Sequence, residues 1–215
     1  MERLICLVVG YVCGLFQTSY IYGRMHQIDI REHGSGNAGT TNALRTLGKK
    51  AGAITLLGDC LKCVLAVLIA RVLYGNSHQD MMPLLGLYAA FGCILGHNFP
   101  FYLKFHGGKG IAASVGMLIA VDWRLLPICA VVFLSVFLAT HYVSLSSISG
   151  YVTAFVGMLV FGGLGYYGMS KGHQTEMDIV MLLMTALAIY RHRENIDRLK
   201  RGTENKLYLS KVGKK

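Results

Sequence analysis

The chain has 215 residues, of which 53% are hydrophobic and only 15% charged, and its mean hydropathy is +0.47. This composition excludes an ordinary soluble domain and indicates an integral membrane protein, built as a single polytopic domain over residues 1–215. The formal net charge is +10. In a membrane protein such an excess is expected in the cytoplasmic loops, so it does not indicate nucleic-acid binding.

Seven apolar segments predict an all-α membrane protein with about seven transmembrane helices. They cover residues 4–22, 52–74, 84–97, 111–121, 125–141, 148–167 and 178–190. Several are shorter than the roughly 20 residues that a helix needs to cross the hydrocarbon. We therefore expect segment 111–121 in particular to be a half-span or re-entrant helix. The first segment lacks the layout of a cleaved signal peptide, so we expect it to be retained.

Basic residues collect in the connection after the first apolar segment and in the C-terminal tail. They are Arg24, Arg31, Arg45, Lys49 and Lys50 in the connection, and Arg191, Arg193, Arg198, Lys200, Arg201, Lys206, Lys211, Lys214 and Lys215 in the tail. The positive-inside rule places both in the cytoplasm. With seven spans the N-terminus then lies outside, the C-terminus is cytoplasmic, and connection 98–110 shares the cytoplasmic face.

The first polar segment, GSGNAGTTNALR at residues 34–45, lies between two apolar segments. Irregular backbone beside lipid is tolerated only where it is packed in protein or lines a cavity. Its glycines let consecutive N–H groups point into one concavity that holds an anion, and Arg45 follows about one helical turn after the threonines. The candidate anion-binding residues are Gly34, Ser35, Gly36, Asn37, Gly39, Thr41, Asn42 and Arg45.

The second polar segment, GHNFPFYLKFHGGKG at residues 96–110, runs directly into the apolar helix predicted from Ile111. A Gly-Gly-Lys-Gly turn at a helix start offers free N–H groups, the positive end of the helix dipole and an ammonium group to one anion. The candidates are Gly107, Gly108, Lys109 and Gly110, with His97 in a supporting role. It is not a Walker A loop, which requires Ser or Thr after the lysine. The alternative is a flexible connector with an interfacial lysine.

The third polar segment, YRHRENIDRLKRGTENK at residues 190–206, follows the last apolar segment. On a continuing helix His192 and Asn195 share one face, and Ile196 and Leu199 hold that helix against the bundle. Glu204 is a candidate structural residue of the same segment. The alternative is a basic tail that rests on anionic lipid.

Two charged residues, Asp59 and Lys62, lie three apart inside the second apolar segment. Charges within a membrane are costly and normally face a partner or a cavity. The sequence leaves open whether they form a structural pair or act directly in catalysis.

Three short patterns carry little weight. Gly34, Gly36 and Gly39 form G-x-G-x-x-G, but a dinucleotide site requires a preceding strand, and charged residues precede this one. His173 and Asp178 fit the H-x-x-x-x-D pattern of other acyltransferases but fall in a region predicted to lie outside. Cysteines 60 and 63 form a single C-x-x-C, which indicates neither a zinc site nor a redox site without a second pair.

The motifs GSGNAGTTNALRTLG, GDCLK, GHNFPFYLKFHGGKGIAAS and HRENIDRLKRGTENK resemble, in order and spacing, those of the PlsY family. These are bacterial acyl-phosphate-dependent glycerol-3-phosphate acyltransferases. The resemblance runs from about residue 10 to residue 207. The chain departs from it at Thr40, Cys63 and His106, where the family usually has Ala, Gly and Lys.

The resemblance implies a seven-span enzyme of the bacterial inner (plasma) membrane with its active site at the cytoplasmic face. It implies transfer of a fatty acyl group from acyl phosphate to the 1-hydroxyl of glycerol 3-phosphate, which gives 1-acylglycerol 3-phosphate (lysophosphatidate) and phosphate in phospholipid biosynthesis. It also implies no metal and no cofactor. The expected partners are the two substrates, the lipid bilayer and a soluble enzyme that makes acyl phosphate.

A mixed acyl-phosphoric anhydride is already activated, so such an enzyme mainly positions two phosphates and stabilises developing charge. We expect Arg45 and Lys109 to neutralise phosphate, Ser35 to bind it, and His192 and Asn195 to orient glycerol 3-phosphate.

The proton acceptor stays open. His192 and, less favourably, Asp59 are candidates, and the resemblance implies that substrate phosphate itself accepts the proton.

A membrane transporter of phosphorylated small molecules is the alternative function. No convincing internal repeat of the kind found in many transporters supports it.

Overall fold

The computed structural model describes residues 1–208, which form ten α-helices and no β-strand. The helices are α1 (Glu2–Gly14), α2 (Thr18–Met25), α3 (Thr40–Leu47), α4 (Lys49–Tyr74), α5 (Met82–Asn98), α6 (Ile111–Val121), α7 (Leu125–Thr140), α8 (Val143–Gly163), α9 (Lys171–Arg191) and α10 (Arg193–Lys200). The predicted all-α class is confirmed. The basic residues Lys211, Lys214 and Lys215 lie outside the described residues.

Four helical stretches within residues 1–208 are long and apolar enough to cross a membrane. They are Glu2–Met25, Lys49–Tyr74, Gln79–Leu103 and Val143–Gly163. The helices α6 and α7 are apolar but shorter. With 11 residues, α6 extends about 16 Å, half of the hydrocarbon thickness. Its bounds are those predicted from sequence, and its length fits the expected half-span.

The first apolar segment is not one helix, contrary to prediction. The helix α1 ends at Gly14 and α2 begins at Thr18. The break leaves backbone carbonyls without helical partners, and distant side chains bind them. Lys62 Nζ donates to the Phe16 carbonyl at 2.6 Å, and Tyr102 Oη donates to the Leu15 carbonyl at 2.7 Å. These long-range partners stabilise a break that the local apolar sequence does not indicate.

The last two long helices also differ from their predicted bounds. The helix α9 begins at Lys171 rather than at residue 178, because Ser170 caps its first turn and Glu176 pairs with Arg3. The helix α8 begins at Val143 and ends at Gly163, whereas the prediction was 148–167. Both helices extend into polar sequence that the apolar pattern excluded.

The helix α5 lies at the centre of the bundle and packs closely against α1. Glycines on both helices allow this contact. A Cβ atom added at Gly10 would lie 2.0 Å from the Ala89 carbonyl oxygen, and one added at Gly92 would lie 2.0 Å from the Leu7 carbonyl oxygen. The close packing fixes the end of α5, where His97 and Asn98 carry the second polar segment.

Candidate active site

The three polar segments lie together at one end of the bundle. A Cβ atom added at Gly108 would lie 2.7 Å from the Ala38 carbonyl oxygen, so the first and second segments are in contact. Lys109 Nζ donates to Asn195 Oδ1, which joins the second segment to the third. Arg45 joins the first segment to the extended segment that follows α10, since its Nη2 donates to the Asn205 carbonyl at 3.2 Å.

The first loop is organised by the buried side chain of Asn42. Its Nδ2 donates to the Ile30 and His33 carbonyls at 2.9 Å each, and its Oδ1 accepts from the Ser35 N–H at 2.9 Å. Both N–H groups of this amide are therefore used inside the loop. Asn42 shapes the loop and has no donor left for a phosphate.

The glycines of the first loop have the conformations that such a turn requires. Gly34 and Gly36 have φ angles of +60° and +69°, in the left-handed region that favours glycine. The Gly36 N–H donates to the His33 carbonyl, and the Gly39 N–H donates to the Asn37 carbonyl. Donors without helical partners remain in the first turn of α3, which begins at Thr40. Ser35 is exposed, and its backbone is tied to Asn42 of this turn.

The second loop is fixed to the end of α5 by its own glycines. The Gly107 N–H donates to the Asn98 carbonyl at 3.2 Å, and the Gly108 N–H donates to the His97 carbonyl at 3.1 Å. Neither position has room for a side chain, since an added Cβ would lie about 2 Å from His97 atoms. Among the described residues, the anion donors left in this loop are therefore those of Lys109, Gly110 and the first turn of α6.

The third segment is not one continuous helix, because α9 ends at Arg191 and α10 begins at Arg193. His192 lies buried at this junction, and its Nδ1 donates to the Ala188 carbonyl at 2.8 Å. The lone pair of the neutral ring therefore lies on Nε2. Burial lowers the pKa of His192 to about 4, so the ring is neutral at physiological pH.

A buried carboxylate, Glu204, joins the elements around the site. Its oxygens accept from Ser144 Oγ at 2.8 Å, Asn195 Nδ2 at 2.7 Å and Arg198 Nε at 2.8 Å. Burial acts to raise the pKa of Glu204, but these three hydrogen bonds outweigh it and lower the pKa below its ordinary value. The carboxylate is therefore ionised, and it binds the segment that follows α10 to side chains of α8 and α10.

Positive charge exceeds negative charge at this end of the bundle. Burial, and next the charge of Arg198, lower the pKa of Lys109 to about 8. Burial also lowers the pKa of Arg45, against the attraction of Glu204. The carboxylates Glu204 and Glu194 thus lie among a larger number of cations, and such depressed pKa values of clustered cations are typical of a functional site. The sequence placed Arg198 in the third polar segment without assigning it a role, and it gave no signal for Ser144.

The buried pair Asp59 and Lys62 contacts the second loop through the side chain of His97. Lys62 Nζ lies 2.9 Å from Asp59 Oδ1 and 2.8 Å from His97 Nδ1, while Thr18 Oγ1 donates to Asp59 at 3.0 Å. The opposite side of the His97 ring lies against Gly108, where an added Cβ would be 2.1 Å from Nε2. These contacts favour the structural alternative for the pair over a direct catalytic role.

The H-x-x-x-x-D pattern lies at the other end of α9. Asp178 accepts from Gln174 at 2.7 Å, and His173 lies 3.7 Å from the carboxylate of Asp80. Asp178, the nearer residue of the pattern, precedes His192 by 14 residues, which corresponds to about 21 Å along the helix. Within residues 1–208 all six cysteines are free, and no three His, Cys, Asp or Glu side chains are arranged to hold a metal ion.

Comparison with known proteins identifies the relatives of this chain. A model of the glycerol-3-phosphate acyltransferase family matches residues 4–202. The chain is 44% identical over 209 residues to a glycerol-3-phosphate acyltransferase of Clostridioides difficile (strain 630), which covers 95% of both chains. It is 40% identical over 208 residues to a glycerol-3-phosphate acyltransferase of Thermoanaerobacter sp. (strain X514), which covers 96% of both chains.

The structure is similar to two crystal structures of PlsY, an integral membrane glycerol 3-phosphate acyltransferase. The glycerol 3-phosphate form has a TM-score of 0.84, with 31% identity and 100% of both chains covered. The lysophosphatidic acid form has a TM-score of 0.80, with 31% identity, and covers 99% of this chain and 98% of the other. The resemblance to PlsY inferred from the motifs is confirmed.

The structural role of Lys62 predicts an asymmetric effect of substitution. Lys62→Met leaves the buried carboxylate of Asp59 unpaired, and loss of one partner of a buried pair typically costs about 3–5 kcal/mol. We expect a marked fall in the melting temperature of the purified protein, partly restored in the double variant Asp59→Asn/Lys62→Met. The control Lys50→Met, at an exposed position of the same helix, should melt like the wild type. Equal melting of the single and double variants would contradict the pairing.

Proposed function

This chain belongs to the glycerol-3-phosphate acyltransferase family, and we propose that it transfers a fatty acyl group from acyl phosphate to the 1-hydroxyl of glycerol 3-phosphate. The products are lysophosphatidate and inorganic phosphate. The observation that carries the proposal is the convergence of three polar segments at one end of the bundle, around the cations Arg45 and Lys109. Two phosphate-bearing substrates require such a site. The bound forms named for the related PlsY structures agree with this substrate and product.

The reaction needs positioning more than bond activation. The 1-hydroxyl oxygen attacks the acyl carbonyl carbon, a new ester bond forms, and the bond between the acyl carbon and the phosphate oxygen breaks. The leaving phosphate takes the bonding electron pair. Lys109 and Arg45 would neutralise this charge, with the Ser35 hydroxyl and the free N–H groups of α3 and α6 as further donors.

The environment of His192 indicates whether this residue can accept the proton of the 1-hydroxyl group. A ring with a pKa of about 4 is a weak proton acceptor at neutral pH, since an effective base has a pKa near the working pH. We therefore assign His192 an orienting role, in which Nε2 accepts a hydrogen bond from a substrate hydroxyl. The proton then passes to an oxygen of substrate phosphate. Asn195 is already held by Lys109 and Glu204 and positions the same segment.

The position of the site also suggests which side of the membrane it faces and how acyl phosphate reaches it. We propose that the end of the bundle with the three segments faces the cytoplasm of a bacterial cell, because the basic connection and tail lie there. Acyl phosphate would reach it from a soluble enzyme that makes this activated donor. Its acyl chain would lie among the membrane-spanning helices, and its phosphate would enter the polar site.

The acyl donor gives the direct test of function. Purified protein in detergent, with palmitoyl phosphate and labelled glycerol 3-phosphate, should release lysophosphatidate and one equivalent of phosphate. Palmitoyl-coenzyme A should give no product. Product from the thioester alone, or none from either donor, would refute the proposed reaction. Uptake of labelled glycerol 3-phosphate into proteoliposomes without acylation would indicate a transporter instead.

The lowered pKa of Lys109 predicts an alkaline limit to activity. Its ammonium group is charged below pH about 8 and loses its proton above it, so phosphate binding by the free enzyme weakens as pH rises. We expect kcat/KM for glycerol 3-phosphate to fall above pH 8 in the wild type. In Lys109→Arg the guanidinium stays charged, so the residual activity should lack this fall. The same fall in both proteins would show that another group causes it.

A further inference from the structure

Arg191, the last residue of α9, contacts the second loop through its guanidinium group. Its Nη2 donates to the Gly108 carbonyl at 2.8 Å and to the Gly107 carbonyl at 3.3 Å. The guanidinium carbon lies 5.0 Å from the centre of the Phe99 ring. Neither the motifs nor the charge pattern of the sequence singled out this arginine from the rest of the basic tail.

The two glycine peptides are consequently held from both sides. Their N–H groups donate to the His97 and Asn98 carbonyls of α5, and their carbonyls accept from Arg191 of α9. A carbonyl oxygen that faced the anion would repel it. Because both carbonyls bind Arg191, the loop presents to the site the N–H groups that follow, together with the ammonium of Lys109.

The same contact fixes the distance between two of the segments. Arg191 directly precedes His192, and Gly108 directly precedes Lys109. The hydrogen bonds from Arg191 therefore tie the orienting histidine to the phosphate-neutralising lysine through neighbouring backbone. Small displacements of such groups lower the rate steeply, since catalysis depends on their relative placement.

We propose that Arg191 is a positioning residue for acyl transfer, which clamps the Gly107–Gly108 peptides so that Lys109 and His192 face the same substrate. This inference rests on the proposed function. The role requires a planar guanidinium, which reaches two carbonyls while stacking on Phe99. The compact ammonium of a lysine would carry the charge but not this geometry.

The kinetics of three variants distinguish a positioning role of Arg191 from a role as a positive charge that only binds phosphate. We expect Arg191→Gln to lower kcat roughly ten- to a hundredfold, the size typical of a misplaced catalytic group, with little change in KM for glycerol 3-phosphate. Arg191→Lys should show an intermediate kcat. The control Arg193→Gln removes an exposed arginine that stacks on Tyr190, and it should behave like the wild type.

A second measurement is independent of catalysis. Hydrogen exchange of the substrate-free protein should be slow at the Gly107 and Gly108 amides and faster in Arg191→Gln, with no change in Arg193→Gln. The variant Phe99→Leu, which retains the arginine but removes the stacking ring, should show a smaller increase. If Arg191→Gln does not fold, Arg191→Lys and Phe99→Leu decide the question by the same two measurements.

Three results would overturn the inference. They are unchanged exchange at the loop in Arg191→Gln, a raised KM with unchanged kcat in that variant, and wild-type kcat in Arg191→Lys. If the wild type transfers no acyl group, the proposed function fails instead. The exchange data still report in that case whether Arg191 holds the loop.

Discussion

A backbone N–H or carbonyl without a hydrogen-bond partner costs several kcal/mol in a membrane, and this cost governs where the chain departs from helix. Each departure near the site has a dedicated polar side chain. Lys62 binds the carbonyl of Phe16 in the break between α1 and α2. Asn42 binds the carbonyls that lead into the first loop, and Arg191 binds those of the second. The irregular backbone near the site is thus satisfied by polar side chains of α3, α4 and α9.

This arrangement also bears on the chemistry of the site. The side chains that satisfy the loop carbonyls leave N–H groups at the starts of α3 and α6 without partners. Those groups lie close to Arg45 and Lys109, in a region where cations outnumber the carboxylates Glu194 and Glu204. An anion with several oxygens is the ligand that such a surface recognises. Under the proposed function, the hydrogen bonds that stabilise these loops and the groups that bind phosphate therefore belong to one arrangement.

Local signals predicted some elements well. The start and end of α6 were predicted at the observed residues, because a glycine turn precedes Ile111 and a polar residue, Asp122, follows Val121. The break between α1 and α2 was missed, because Leu15 and Phe16 are apolar and the groups that stabilise the break come from distant parts of the chain. Tertiary contacts decided the structure there.

In the candidate site, too, local sequence predicted some features and tertiary contacts decided others. The three polar segments were predicted from sequence, and the structure brings them together. The roles inside them were less predictable, since Asn42, Gly107 and Gly108 build the loops through partners remote in sequence. Arg191 has the same side-chain type as its exposed neighbour Arg193, so only its position against the loop distinguishes it.

The most direct test of the whole account is the acyl-transfer rate of a folded Lys109→Ala variant. Lys109 is the cation that joins the second loop to the third segment, and it is the one charged side chain of the Gly107–Gly110 turn. The account predicts a fall in kcat/KM of at least about a hundredfold, as expected for loss of a partly buried charged ligand to phosphate, with a melting temperature near that of the wild type. Wild-type kcat/KM in that variant would contradict it.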